Sequence, residues 1–282
     1  MTTTSPSAPV SSAAALPARR RTAFGGLMLA EWTKIRSVRS TLWTLILFVV
    51  LTVGLTTGLT ALVVASWGKR GSGGGEVAST ADPVGFILGA GIGLGQLTIC
   101  VLGILVITSE YSTGVIRASL LAVPRRVPML IAKVVVFAGL LIVLAEIVAF
   151  GSFFLGSTLL HSKVAVSLND TGVTRAVIGA GIYLTVLGLF SVGIGGLIRH
   201  TAGGIATVIG AVLVLPIITS FLPGSWGHHI NGYLPEQAGS LIYQAHPQAS
   251  QVLTPWQGFG VFCLWTAALL VIAGYLLKTR DA

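Results

Sequence analysis

The sequence predicts an all-α polytopic membrane protein with six transmembrane helices, and three observations support this. First, 54% of the 282 residues are hydrophobic and 9% are charged, whereas a soluble domain has about 25% charged residues. Second, six apolar stretches each reach the length of roughly 20 residues that crosses a bilayer. Third, the basic residues lie mainly between these stretches rather than within them. So much apolar surface, with a mean hydropathy of +0.90, cannot be hidden in a water-soluble core.

The predicted spans form one domain between two short tails. The spans cover residues 41–66, 84–109, 128–159, 173–198, 202–222 and 256–277. The third is long enough to tilt or to extend beyond the bilayer. We take residues 24–277 as the domain. Residues 1–23 lack a hydrophobic period and are rich in Ser, Thr, Ala and Pro, so we expect a disordered cytoplasmic tail. Residues 278–282 form the second tail.

The distribution of Lys and Arg predicts the orientation. With six spans, thirteen of the 17 basic residues fall on the side that holds the N-terminus. Cytoplasmic flanks carry the excess of basic residues, so both termini are expected in the cytoplasm. The net charge of +9 would suggest nucleic acid for a soluble protein. Here we expect the charges to meet lipid headgroups, and we predict no nucleic-acid partner.

Motifs for enzymatic chemistry are absent from the sequence. There is no G-x-x-x-x-G-K-[ST] phosphate loop, no H-E-x-x-H and no G-x-S-x-G. Cys100 and Cys263 stand alone inside apolar stretches and form no ligand set. We therefore predict no catalytic residue, no metal site and no cofactor bound by this chain.

Glu146 is the carboxylate that lies deep in a predicted span. An ionised side chain at mid-bilayer costs about 2.5–3.5 kcal/mol on insertion scales. Two interpretations remain open. The carboxyl is either neutral and hydrogen-bonded, with a Thr, Tyr183 or Gln96 as candidate partner, or it lines a passage for a cation or another substrate.

A half-polar insert, SEYSTGVIRASLLAVPRRVPMLIAK, separates the second span from the third. Gly114 breaks the preceding helix, and Ile116 and Leu120 then recur at helical spacing. Pro124 ends the new helix, because the residue before a proline avoids the α-helical region. The sequence therefore predicts a short cytoplasmic helix near the membrane plane. It is either a surface anchor or a rigid contact for a soluble partner.

A second amphipathic helix is predicted just before the first span. One face of this helix carries Phe24, Met28, Ile35, Val38 and Leu42. Trp32 lies at the edge of that face, and Lys34, Arg36 and Arg39 add positive charge. A basic amphipathic helix with a tryptophan is typical of the membrane interface.

Glycine spacing and one proline give two smaller predictions. Pairs four residues apart, such as Gly54 with Gly58 and Gly91 with Gly95, allow close contact between helices in lipid. We expect these pairs to pack within the bundle, with a face between two copies of the chain as the alternative. Pro235 is expected to open a short helix between the last two spans, with Glu236 in its first turn.

Three stretches resemble one known family. LAEWTKIRSVRSTLW before the first span, the insert after the second span, and YLPEQAG before the last span are similar to the permease subunits of bacterial ABC type 2 exporters. The similarity covers most of the chain from Phe24 onward and is generic in the spans. The richness in Ala, Gly and Val resembles actinobacterial proteins, which implies the cell membrane of a bacterium.

The resemblance implies a division of labour between chains. It implies an interfacial elbow helix, six spans and a coupling helix that contacts a separate ATPase subunit, which would bind ATP and Mg²⁺. By this resemblance the ATPase-coupling positions are Glu110, Tyr111, Gly114, Ile116, Arg117 and Leu120. A homodimer of permeases is expected, and a heterodimer stays open. The alternative is a cation- or proton-coupled secondary carrier that uses Glu146, although we find no internal repeat of the kind carriers show.

Overall fold

The computed structural model describes residues 24–69, 80–112, 126–246 and 251–279. Every regular element in these ranges is helical. The elements are α1 (Phe24–Ser37), α2 (Arg39–Ser66), α3 (Pro83–Ser112), α4 (Arg126–Leu160), α5 (Val173–Ile198), α6 (Thr201–Ile209), a π-helical turn (Gly210–Val214), α7 (Leu215–Ser220), α8 (Ser225–Gly232), α9 (Pro235–Ser240), a 3₁₀ turn (Leu241–Tyr243) and α10 (Pro255–Thr279).

Six helical runs are long and apolar enough to cross a membrane. They are α2, α3, α4, α5, the run from α6 through α7, and α10. The observed helices begin and end within three residues of the predicted spans. The predicted fold class and number of spans are therefore confirmed, and the chain is a multi-pass membrane protein. The predicted coupling helix falls within residues 113–125, which lie outside the described ranges.

Helix α5 is the centre of the bundle. It is buried along almost its whole length and packs against α3, α4 and α10. Small residues permit these close crossings. At Gly103 of α3, for example, an added Cβ would lie 2.5 Å from the carbonyl oxygen of Gly188 in α5. Such contacts replace the hydrophobic driving force that is missing between helices in lipid.

The predicted glycine packing is confirmed for one pair and wrong for the other. An added Cβ at Gly91 or Gly95 would collide with Thr52 of α2, so this α3 stripe lies directly against α2. Gly54 and Gly58 are exposed, with nothing within 4 Å of an added Cβ. Glycine spacing shows that one face of a helix carries small residues, but it does not show whether another helix packs on that face.

The fifth span is interrupted by the π-helical turn, which the sequence analysis did not predict. Pro216 in α7 has no N–H and cannot continue the regular ladder. Just before it, the Leu215 N–H donates to the Gly210 carbonyl, five residues back. Asn231 of α8 stabilises this region by donating to the Pro216 carbonyl at 3.0 Å and to the Thr219 hydroxyl at 2.8 Å. The wide turn thus accommodates the proline, as such turns do in bent helices.

The segment between the last two spans packs against the bundle. The predicted short helix with Pro235 first and Glu236 in its first turn is confirmed as α9. Most of α9 and the 3₁₀ turn is buried against α10 and α5. Arg175 of α5 holds the chain beyond them by donating to the backbone carbonyls of Gln244 and Ala245 at 3.0 and 3.2 Å.

Candidate functional site: a buried ion cluster at one end of the bundle

Four charged side chains meet where α1 contacts the last turn of α3 and the first turns of α4. We call Glu31, Lys34, Glu110 and Lys133 the ion cluster, and this end of the bundle the α1 end. The Lys133 ammonium donates to Glu31 at 2.6 Å and to Glu110 at 2.9 Å. The Lys34 ammonium donates to Glu31 at 2.7 Å and to Glu110 at 2.9 Å. The four contacts close a ring that joins three helices.

Three of the four members of the ion cluster are buried, and the cluster contains equal charge of each sign. The exposed fractions of Glu31, Glu110 and Lys133 are 3%, 7% and 4%. Two carboxylates and two ammonium groups make the cluster formally neutral. Because desolvating charges is costly, such a group is stable only while every member keeps its partners. Its contacts also require α1, α3 and α4 to be in one register, since each helix contributes at least one member.

Lys34 is the most accessible member, with a side chain that is 38% exposed. Burial alone would lower the pKa of Lys34, but hydrogen bonds to Glu31 and Glu110 and the charges of the two carboxylates outweigh burial, so its pKa is raised. Lys34 therefore stays charged at every physiological pH.

A second set of contacts ties the same turn of α3 to the other side of the bundle. The guanidinium of Arg199, just after α5, lies 5.1 Å from the ring centroid of Tyr111. Arg199 also donates to the Leu276 carbonyl near the end of α10 at 2.9 Å. The Thr201 hydroxyl of α6 donates to the Thr108 hydroxyl at 3.0 Å. The end of α3 is thus held to α1 and α4 on one side and to α5 and α6 on the other.

Two of the six predicted ATPase-coupling residues lie in the described part of the chain. Glu110 belongs to the ion cluster, and Tyr111 lies under Arg199. The other four, Gly114, Ile116, Arg117 and Leu120, lie outside the described ranges. We expected Glu110 to meet a partner chain through its charge. In the structure its carboxylate is buried and bonded inside the bundle, so a role in coupling would be indirect.

The predicted elbow helix exists as α1, and it also contacts the bundle through a charged side that was not predicted. Helix α1 is separated from α2 by Val38, whose backbone is extended. The residues of α1 that are buried are Glu31 and Ile35, whereas Phe24 and Val38 are exposed. The prediction assigned the apolar face to the membrane interface and named no side that packs on the bundle, so the buried partners of Glu31 were not foreseen. Trp32, Arg36 and Arg39 are exposed, as the interfacial interpretation expects.

Glu146 of α4 lies against α5, where an added Cβ at Gly181 would collide with its carboxyl group. Its Oε2 atom is buried and has no hydrogen-bond partner among the described residues. The predicted partners Tyr183 and Gln96 bond to each other instead, at 2.7 Å. Neither of these two candidate partners bonds to the Oε2 atom of Glu146, and the two interpretations of this carboxyl stay open.

Glu31, Lys133 and Arg199 were not predicted as site residues. A lysine seven residues into the apolar α4 helix was a usable signal, because a charge inside a span is rare and almost always has a partner. The identity of the partner was not readable, since Glu31 lies 102 residues away in sequence. For Arg199 the sequence showed only that a basic residue follows a span.

Comparison with known proteins adds no assignment to this geometry. No protein-family model matches the sequence, and no curated protein matches it.

Proposed function

We propose that this chain is the membrane-spanning permease subunit of an ATP-driven ABC type 2 exporter, coupled to a separate ATPase subunit. The observation that carries the proposal is the ion cluster. It fastens α1 to the last turn of α3 and the first turns of α4. Helices α3 and α4 lead into and out of residues 113–125, the segment that resembles the coupling helix of that family.

The arrangement suits the transmission of movement from outside the bundle. A push on residues 113–125 would act on α3 and α4 at Ser112 and Arg126. The ion cluster joins those helices to α1, and Arg199 joins the end of α3 to α10. The displacement would therefore reach several spans together instead of being lost in one flexible connection. Switching motions of packed helices commonly involve such rigid shifts.

The first test is whether a neighbouring reading frame encodes an ATPase with a phosphate-binding loop, and the experiment then produces the full chain together with that ATPase. We expect the two chains to co-purify and substrate to stimulate ATP turnover. Ile116→Asp and Leu120→Asp should reduce co-purification, because a carboxylate would replace an apolar contact. Arg117→Ala should keep membrane insertion and lose substrate-stimulated turnover.

The matched controls are Ile116→Val and Leu120→Met, which keep an apolar side chain of similar size at each position and should behave as the unaltered chain. Variants of Glu110 are unsuitable for this test, because they would disturb the ion cluster itself. If the ATPase fails to co-purify with the unaltered chain, or if all three disruptive variants bind it and support wild-type turnover, the proposal is overturned.

A second candidate function is a cation- or proton-coupled carrier. It is favoured by the buried Oε2 atom of Glu146, which has no hydrogen-bond partner in the part of the chain that the structure describes. Such a carrier would transport in membranes without any ATPase and would depend on a proton or cation gradient. Glu146→Gln removes the ionisable group and nearly preserves the side-chain volume. Loss of gradient-driven transport in that variant, with normal insertion, would favour the carrier. Unchanged transport would exclude a role for this carboxyl.

A further inference from the structure

An apolar groove runs along the surface of the bundle between α4 and α10. Its volume is about 450 Å³. Val127, Ile131 and Val134 of α4 line it together with Val271, Gly274 and Tyr275 of α10, and Lys278 stands at one end. Tyr275 and Lys278 are the polar members of the lining among the described residues.

The groove is open because α10 contributes a glycine, Gly274, to its lining. An added Cβ at Gly274 would meet just one described atom within 4 Å, the Leu130 Cδ2 atom at 3.6 Å. Any longer side chain at position 274 would extend into the groove. The two walls, Ile131 at 48% and Val271 at 71%, are exposed in the chain, so an apolar occupant is needed to cover them.

The dimensions of the groove match one leaflet of a bilayer. Eight helical steps from Leu270 to Lys278 rise about 12 Å, and half of a hydrocarbon core is ~15 Å thick. Lys278 marks the headgroup level, because it follows the last apolar turn of α10 at the α1 end. Tyr275 is 65% exposed and lies one turn inside, where aromatic residues are enriched at membrane interfaces.

The charge at the end of the groove selects the kind of lipid. No carboxylate in residues 24–69, 80–112, 126–246 or 251–279 forms a salt bridge with Lys278. A lysine at the end of an apolar groove fits a ligand with an anionic headgroup and an acyl chain. We propose that this groove binds an anionic phospholipid of the leaflet at the α1 end, with one acyl chain between α4 and α10 and the phosphate at Lys278.

The test counts lipids retained by the full chain, together with any subunit that co-purifies. The protein is released from detergent micelles and analysed by native mass spectrometry. The probe is an equimolar mixture of phosphatidylglycerol and phosphatidylcholine with identical acyl chains. We expect retention of phosphatidylglycerol in preference to phosphatidylcholine.

Two variants separate the headgroup from the chain. Lys278→Gln should lower the preference for phosphatidylglycerol about five-fold, the effect of one basic side chain near an anionic surface. Its control is Lys163→Gln, which removes an exposed lysine at the other end of the bundle. Gly274→Leu should abolish retention of both lipids by filling the groove. Its control is Gly54→Leu on α2, where an added Cβ meets nothing within 4 Å.

Each result decides the proposal without reference to the ATPase. Equal retention of the two lipids by the unaltered chain would overturn it, as would wild-type retention in both variants. If Gly274→Leu leaves lipid retention unchanged but converts a dimer into monomers in the same spectra, the groove is an interface between copies of this chain and the proposal fails.

Discussion

Lys133 is the residue at which we expect a single substitution to lower the stability of the fold most. Lys133 belongs to a membrane-spanning helix and is 4% exposed, and its ammonium group donates to two carboxylates. In Lys133→Met these carboxylates would share one lysine, leaving an uncompensated buried charge. Breaking a buried ion pair in this way costs about 3–5 kcal/mol. We expect a lower midpoint of thermal unfolding in detergent, measured by reaction of the buried Cys100 thiol with a dye.

The pairing itself is tested by restoring neutrality. Adding Glu31→Gln to Lys133→Met removes one negative charge as well, so the double variant should recover part of the lost stability. Lys163→Met, which removes an exposed lysine, should leave the midpoint nearly unchanged. A double variant no more stable than Lys133→Met would contradict the ion-cluster account.

Glu236 gives a pH-dependent prediction at the opposite end of the bundle. Burial raises its pKa to about 7, compared with about 4.3 in an unfolded chain. The folded state therefore binds the proton more tightly. The stability from this preference is fully present below about pH 4.3 and is lost as the pH rises through about 7. We expect Glu236→Gln to unfold at a higher temperature than the unaltered chain at pH 8, with the difference shrinking toward pH 4.

Glu236→Asp supplies the control, because it keeps a titrating carboxyl in the same turn and should keep a pH-dependent midpoint. A Glu236→Gln midpoint that follows the unaltered chain at every pH from 4 to 8 would show that this carboxyl does not resist ionisation.

At the scale of elements, α1 depends on its charged side more than on its apolar residues. Glu31 and Ile35 are its buried residues, and the two salt bridges of Glu31 connect α1 to α4 and to its own Lys34. We expect Glu110→Gln to speed amide hydrogen exchange in residues 24–37 about ten-fold or more, since a hydrogen bond to a charged group contributes about 1.5–3 kcal/mol. Exchange in α5 should not change.

The element prediction has a matched control on the same helix. Arg36 is exposed, so Arg36→Gln should leave exchange of α1 at the wild-type rate. Equal exchange of residues 24–37 in the unaltered chain, Glu110→Gln and Arg36→Gln would mean that lipid or the start of α2, and not the ion cluster, holds α1 in place.

The sequence predicted the helices better than their contacts, for a physical reason. Span length and hydropathy are local properties set by the thickness of the bilayer, so the ends of α5 at Val173 and Ile198 could be read directly. The π-helical turn before Pro216 depends on how one helix accommodates a missing N–H, which hydropathy does not record. The ion cluster depends on side chains up to 102 residues apart, and the net charge of the chain says nothing about such pairing.

At the scale of the whole molecule, the contacts define two ends that agree with the distribution of charge. The ion cluster brings α1, the end of α3 and the beginning of α4 together, and Arg199 joins the end of α5 to the end of α10. The end of α2, the start of α3, residues 161–172 and the α8–α9 segment therefore lie at the other end. Of the ten Lys and Arg residues in the described ranges, seven lie at the α1 end. An end this basic is expected to face the cytoplasm.

This orientation gives the last prediction. Reporter domains fused after Gly73, Gly172 or Gln248 should be active outside the membrane, and one fused after Arg126 should be active inside. Truncation removes later spans from these fusions, so each reporter is also inserted into the full chain, where the salt bridges of Glu31 and Lys133 can form. Because α1, α3 and α4 share the ion cluster, the Arg126 reporter and a reporter placed before Phe24 must lie on the same side of the membrane. Reporters on opposite sides of the membrane would contradict the six-span arrangement. If both reporters lie outside, the predicted orientation is wrong but the six-span bundle is not contradicted.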